Sequence, residues 1–516
     1  MASVLYQSGA QMPMEEVVPG AAAVRGLTRS SILTQRRRIR VGAQSGRDVG
    51  TFGTTCSGGG NQQIQFLLSD AGGMVDPSSI CLVYNMCTAT TTAANQAVPD
   101  DSHPFTRCQI SLNGQLLDDV NSAAKNTNAE VTLGATKDWY QTSGSFCGFE
   151  LLNNELNTVA SSPSVAAFAG ATFGAATAAA NTTALSTWLQ GYTAAWGDVS
   201  GNWANIEARY DDAATTVNPL GGQQRVLPLG LISGVGRMKN YLPLSILGEM
   251  SFTFFTGSAN EVLFSPAGGS PDFCLRGVYL IADIVIPHPA YAEVLSRMAN
   301  EDGAGLSLPY ESTIVSQGGI MPGTAAPGNA LTDYSIIVSR ATNNLVRSLA
   351  WFQPQARLTS SQYPVQSCFN HAFINKAQWR IGSQFYPSIP AEGDADLWAM
   401  SASAYGTAGL NEQNGVTNRI LWAQTTPISQ VAAHTNGEGT YKFDYADKFV
   451  LGYGFRVVKG AAEEVQMDGV SLAGASGSQA VLAVTAAPTV DTSPFVSLVA
   501  LRVIQAANGQ VRVLGA

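Results

Sequence analysis

The chain reads as an all-β protein made of two β domains in tandem, and three observations carry that reading. The first is bulk composition. The chain has 516 residues, more than one ordinary core accommodates; 52 of them are Gly and only 13% are charged. Short Val, Ile, Phe and Tyr runs recur between Gly, Asn, Pro and Ser, while helix-favouring clusters of Glu, Lys and Leu are few. The second is an internal echo. Residues 107–117 and 376–386 both alternate a basic or polar residue with an apolar one. Each then turns at a Gly-containing pair and resumes with Gln and two large apolar residues. A β-hairpin with one buried face is written this way. The third is order: strand signals at 64–68 and 80–84 precede the first hairpin, and signals at 335–338 and 345–351 precede the second at similar spacing. Three matching signals in one order argue for a single β domain present twice.

Taken in order, the elements begin with a basic, partly extended arm over residues 1–45, marked by Pro13, Pro19 and Gly20. Arg25, Arg29, Arg36, Arg37, Arg38 and Arg40 lie in it with no acidic residue between them. Strand signals follow at 39–41, 64–68, 80–86, in the first hairpin and at 146–152. No charged residue occurs between Glu155 and Asp198, where Ala, Thr, Ser and Gly are studded with Phe168, Phe173, Trp188, Tyr192 and Trp196. The second copy has no counterpart, so residues 156–205 read as an insertion at the tip of the first domain, exposed or in contact with another subunit. Strands are expected at 250–254 and 278–287. Pro289 opens a helix with Tyr291, Val294, Leu295 and Met298 on one face, ended by Asn300 and Gly303. A Gly/Pro-rich linker completes residues 290–330. The second domain, 331–516, adds a helix over 394–405 with Asp394 as N-cap and strands at 441–445, 449–458, 480–485 and 495–503.

The net charge is −9, and removing the six clustered arginines leaves about −9 − 6 = −15 for the rest. A basic arm thus leads an acidic body. Such an arm neutralises phosphates with salt-sensitive affinity; equally, residues 36–41 read as the solvated face of a first strand, or as partners of acidic groups on a neighbouring subunit. The scarcity of charge over so large a chain points to surface covered by copies of itself.

Catalytic chemistry is not indicated. His103, His288, His371 and His434 stand apart from one another in no metal-ligand or triad spacing. The pairs Asp118-Asp119, Asp211-Asp212 and Glu463-Glu464 alternate faces if they lie in strands, so neither member pairs with the other across a sugar bond; they read as solvated turns. Residues 230–237 are Gly-rich but lack the Lys-Ser/Thr ending of a phosphate loop. Seven cysteines in no CxxC spacing read as reduced thiols. No cofactor or metal is expected. The N-terminus lacks a signal-peptide layout, and no apolar run reaches a membrane span.

Residues 242–244 running on through Phe255, Tyr279 to Pro287 ahead of a helix, and Gln378, Trp379, Arg380, Ile381 and Gly382 leading to Tyr386, Pro387 and Pro390 are similar to the double jelly-roll major capsid proteins of icosahedral DNA viruses, of the virophage, polinton-like and nucleocytoplasmic large DNA virus type. The resemblance implies two consecutive eight-stranded antiparallel jelly-roll sandwiches with a few short helices in loops, the first over 46–289 and the second over 331–516. It implies a homotrimer forming a pseudo-hexameric capsomer in a virion assembled in the host cytoplasm or nucleus. Neighbouring capsomers, penton and minor capsid or cement proteins would be partners, with the arm near packaged DNA or an internal membrane. A carbohydrate-binding or adhesive sandwich of fibre or lectin type is the alternative, with Trp188, Tyr192, Trp196, Trp203 and Tyr210 as a stacking platform.

Overall fold

A run of residues that is apolar at every second position becomes a strand wherever one of its faces can be buried. The computed structural model describes residues 33–46, 49–50, 62–69, 73–88, 98–99, 102–136, 139, 142–149, 223–264, 273–300, 305–323, 331–338, 344–360, 365–405, 422, 448–456, 470, 479–507 and 510–514. Eight strands build the first sandwich: β1 (Leu33–Gly42), β2 (Gln63–Leu68), β3 (Met74–Thr88), β4 (Phe105–Leu112), β5 (Gln115–Asn121), β6 (Gln223–Pro228), β7 (Met250–Thr256) and β8 (Phe273–Pro287). They form two antiparallel sheets in the orders β1-β8-β3-β6 and β2-β7-β4-β5.

Eight more build the second sandwich: β9 (Leu306–Gln317), β10 (Thr332–Val338), β11 (Leu345–Pro354), β12 (Ile374–Ile381), β13 (Gln384–Glu392), β14 (Val450–Gly454), β15 (Ala480–Ala486) and β16 (Thr492–Ala507). Their sheets run β9-β16-β11-β14 and β10-β15-β12-β13, so each strand takes the place of the one eight earlier. A further strand, β17 (Gln510–Leu514), adds to β16.

Register repeats as well as order. Met250 pairs with Leu68 on one side and Leu112 on the other; its counterpart Ala480 pairs with Val338 and Ile381. All six point inward and are buried, because a slip of one residue would turn each strand's apolar set to solvent. The echoed hairpins close alike, Leu112 against Gln115 and Ile381 against Gln384. The first two-residue turn has positive φ at both Asn113 and Gly114, whereas the second relies on Gly382 for its positive φ. Phe254 lies 6.1 Å from Phe66 and 5.4 Å from Phe105 in the first core. Trp379, with Ile336 and Leu482, fills the second.

Among the described residues, the three longest helices complete the frame: α1 (Ala123–Gly134), α2 (Pro289–Asn300) and α3 (Asp394–Ala402). α2 has the expected bounds, with Tyr291 and Leu295 buried. α1 was not expected. It is buried from Ala123 to Leu133, polar residues included, so it has no apolar stripe to betray it. Other elements depart from the sequence reading. Residues 143–147 are helical where a strand was expected at 146–152. Asp394 is the first helical residue and Gly393, at φ 79°, is the N-cap. β1 lies within the span assigned to the arm, and β9 within the span assigned to the linker. β1 is an edge strand with an outward row of arginines, which hid its period; β9 runs unbroken through Pro309, a residue whose presence in the sequence speaks against a strand but which an edge position tolerates. The strand expected at 441–445 lies outside the described residues.

Candidate functional site

The two sandwiches meet where β5, the edge of one sheet of the first, lies along β9, the edge of one sheet of the second. α1 wedges between them and packs on β11 and β14. β5 places Leu117, Asp118 and Val120 inward, and the chain's polar chemistry gathers around them. Tyr310 donates from its hydroxyl to the Leu117 carbonyl at 2.9 Å. Asp118, 1% exposed, accepts from Ser233 Oγ at 2.5 Å, Ser312 Oγ at 3.1 Å and the Thr313 amide at 3.1 Å. Burial pushes its carboxyl up and the three donors pull it back, leaving it at about 6. The sequence reading of Asp118 as a solvated turn residue is therefore corrected: a register shift in the pairing of β5 with β4 leaves Leu117 without a cross-strand partner, so Leu117 and Asp118 are both buried and Asp118 faces the junction. Asp119, on the opposite face, takes two 2.7 Å bonds from Arg107.

A second cluster lies beside it. Glu311 on β9 accepts from Arg347 Nη1 and Nη2 at 3.2 and 3.0 Å and from Arg456 Nη2 at 3.2 Å, with Arg237 Nε at 3.5 Å. Glu130 of α1 pairs with Arg237 and lies 3.8 Å from Arg347 Nη2. Burial raises the Glu311 carboxyl, but Arg347, Arg237 and Arg456 overcome it and hold it at about 2. Arg237 comes from the Gly-rich stretch, which forms the helical turn Leu229–Ile232 and the 3-10 turn Gly234–Arg237. Gly234 matters here because a Cβ on it would collide with the Glu311 backbone.

Of the six arginines singled out from sequence, Arg25 and Arg29 lie outside the described residues. The other four lie on β1. Arg36 and Arg38 converge on Asp283 of β8, with closest approaches of 2.6 and 2.9 Å, and Arg36 is also 3.5 Å from Asp76. Arg38 first, then burial in the opposite sense, then Arg36 act on the Asp283 carboxyl, with a net lowering. Arg40 stacks its guanidinium 3.6 Å from the Tyr279 ring centre. Phe168, Phe173, Trp188, Tyr192 and Trp196 all lie outside the described residues.

The histidines stay apart. His103 is buried against Thr127 Oγ1 at 3.0 Å, and desolvation pushes it down to about 3, so it is neutral. His371 packs 4.1 Å from the Phe449 ring centre, and His288 is exposed ahead of α2. His434 lies outside the described residues. Among the described residues no group of three His, Cys, Asp or Glu side chains could hold a metal, and no helix is long and apolar enough to cross a membrane. Cys274 is disulfide-bonded, which corrects the expectation of reduced thiols throughout.

Solved structures share this architecture. The PBCV-1 VP54 structure fitted into a reconstruction of the virophage Sputnik superposes with a TM-score of 0.51 at 10% identity, covering 93% of this chain and 97% of that one. The Faustovirus major capsid protein gives 0.47 at 9% identity, over 92% and 90%. The mavirus major capsid protein gives 0.45 at 9% identity, over 93% and 90%. No family model and no curated protein matches the sequence. The fold of this chain is the double jelly roll, as the strand order had already defined it.

Proposed function

We propose that the chain is the major structural subunit of an icosahedral virion shell, self-assembling into homotrimers whose six sandwiches form a pseudo-hexagonal capsomer. The observation that carries this reading is the repeat of a complete eight-stranded sandwich in the same order and register within one chain. Within the chain, edge β5 meets edge β9. The equivalent edges left over are β13 and β1, eight places removed from each. In a closed ring of alternating sandwiches, β13 of one copy meets β1 of the next, and threefold closure stops further growth. β13 suits this contact: Phe385 is 51% and Ile389 77% exposed, on an edge strand that a free monomer would need to protect. Penton and minor capsid or cement proteins are further partners in this reading, the basic N-terminal arm is the segment assigned to non-specific contact with packaged DNA or an internal membrane, and the protein resides in the virion after assembly in the host cytoplasm or nucleus.

Native mass spectrometry tests the proposal. Wild-type protein is expected as trimers or larger. A Phe385→Glu, Ile389→Glu double variant is expected as monomers that keep the far-ultraviolet circular dichroism of the folded chain, since neither side chain contributes to the core. A wild-type protein monomeric at every concentration refutes the shell reading.

A further inference from the structure

α1 meets the second sandwich on the face of the sheet β9-β16-β11-β14 that is turned away from the second core. The centre of this seam is apolar: Ala129 and Leu133 of the helix share one cluster with Leu349, Trp351 and Phe495, and Val315 packs against it. Side chains directly opposite in a ladder share a face, so the row Val315, Ser497, Leu349 sets the Ser497 hydroxyl between two members of that cluster. Thr313 opposes Val499 in the next row of the same face, and Arg347 completes that row. From the helix side, Lys125 Nζ lies 4.7 Å from the Phe495 ring centre and Glu130 lies 3.8 Å from Arg347 Nη2. Asn126 comes between them, with Ala129 and Glu130 following at i+3 and i+4, which places it on the arc of α1 that faces the sheet.

The polar groups of this seam are unsatisfied. Asn126 and Ser497 are 0% exposed and Thr313 1%. Yet neither end of the Asn126 amide, nor Thr313 Oγ1, nor Ser497 Oγ has a hydrogen-bond partner among the described residues. Trp351 Nε1 and Ser493 Oγ, further along the same face, are in the same condition. Buried donors and acceptors without partners are costly, and native interiors rarely keep them. Four such atoms within two ladder rows and one helical turn are the lining of a site. An amide offers a donor and an acceptor and each hydroxyl offers both, so together they satisfy a water molecule in any orientation. All four atoms are uncharged, which suits water rather than an ion.

We propose that the seam holds a closed hydration site of about one or two ordered water molecules, bonded by Asn126 from α1 and by Ser497 and Thr313 from the second sandwich. Water there completes the docking of the helix wedged between the two sandwiches. The site stands whether or not the chain forms shells, because all its residues belong to one copy.

Ser497→Ala and Thr313→Val each remove one hydroxyl and nearly keep the side chain's shape. Hydrogen exchange of the full chain, read by mass spectrometry over α1 and over β7 in the first core, tests the site. Each single variant is expected to speed exchange of the α1 amides by on the order of tenfold, the loss of about one hydrogen bond, with β7 unchanged. The double variant is expected to exchange no faster than the faster single one, because both hydroxyls hold the same water. Asn126→Leu fills the site from the helix side and is expected to make Ser497→Ala silent; should that variant not fold, the hydroxyl pair decides alone. Unchanged or slower exchange in either single variant overturns the proposal, since removing an unpaired hydroxyl from a dry seam costs nothing. Accelerations that multiply in the double variant, an equal acceleration in β7, or an undiminished effect of Ser497→Ala beside Asn126→Leu overturn it as well.

Discussion

Replacing Asp118 by Asn isolates the electrostatics of the junction. In the folded chain its carboxyl sits at about 6 against an ordinary 3.8, because burial outweighs three hydrogen bonds. A folded pKa above the unfolded one means that the folded state binds the proton more tightly, so stability falls as pH rises through about 4 to 6. The difference of roughly two units, at about 1.4 kcal/mol each, makes the ionised group cost about 3 kcal/mol at pH 7.5 relative to its protonated form. Lowering the pH to 5 recovers about half of this. Asn cannot titrate, so Asp118→Asn should lose about 1.4 kcal/mol of the stabilisation that wild type gains between pH 7.5 and 5. Urea unfolding of both proteins at the two pH values measures this difference, and other groups titrating in the window cancel. Parallel pH profiles, or a variant destabilised by more than about 3 kcal/mol at both values, would show that the three donors keep Asp118 ionised.

Glu311 behaves in the opposite sense. Its folded value of about 2 lies below the ordinary 4.5, so its contribution is present above about 4.5 and is lost as pH falls towards 2. Glu311→Ala removes the carboxylate that Arg347 and Arg456 share and is expected to cost about 3–5 kcal/mol in denaturant unfolding at pH 7; a cost under about 1 kcal/mol contradicts the pairing. Phe254→Ala empties the centre of the first core, where the side chain is 1% exposed between Phe66 and Phe105. Its expected cost is about 3–5 kcal/mol, seen as a lower melting temperature, with the second sandwich keeping its near-ultraviolet aromatic signal at temperatures where the first has lost its own.

What could be read from sequence divides by the kind of burial. β7 was legible because Met250, Phe252 and Phe254 alternate with polar residues on a half-buried surface, and α2 because its apolar positions recur every three to four residues. α1 was illegible for the converse reason: with Asn126 and Thr127 buried as fully as Ala123, no periodicity survives. The junction was illegible because Asp118, Ser233, Glu311, Arg347 and Arg456 come from segments far apart in the chain. One signal was available: Lys125 and Glu130 follow directly on the hairpin in a chain otherwise sparing of charge.

The two copies also show which part of a jelly roll the fold dictates. The inward row Leu68, Met250, Leu112 matches Val338, Ala480, Ile381 in character, since each must fill a closed core. One residue along, the outward row Leu67, Ser251, Ser111, Leu116 corresponds to Ile337, Val481, Arg380, Phe385. There the ends stay apolar while the middle changes from two hydroxyls to Val and Arg. A face wetted by solvent alone has no need of apolar groups at both ends in both copies; Leu116 and Ile337 remain 51% and 49% exposed in the isolated chain. Under the shell reading proposed above, these matching positions are where other copies of the chain would cover the face, and the differing middles would distinguish the two sandwiches from each other.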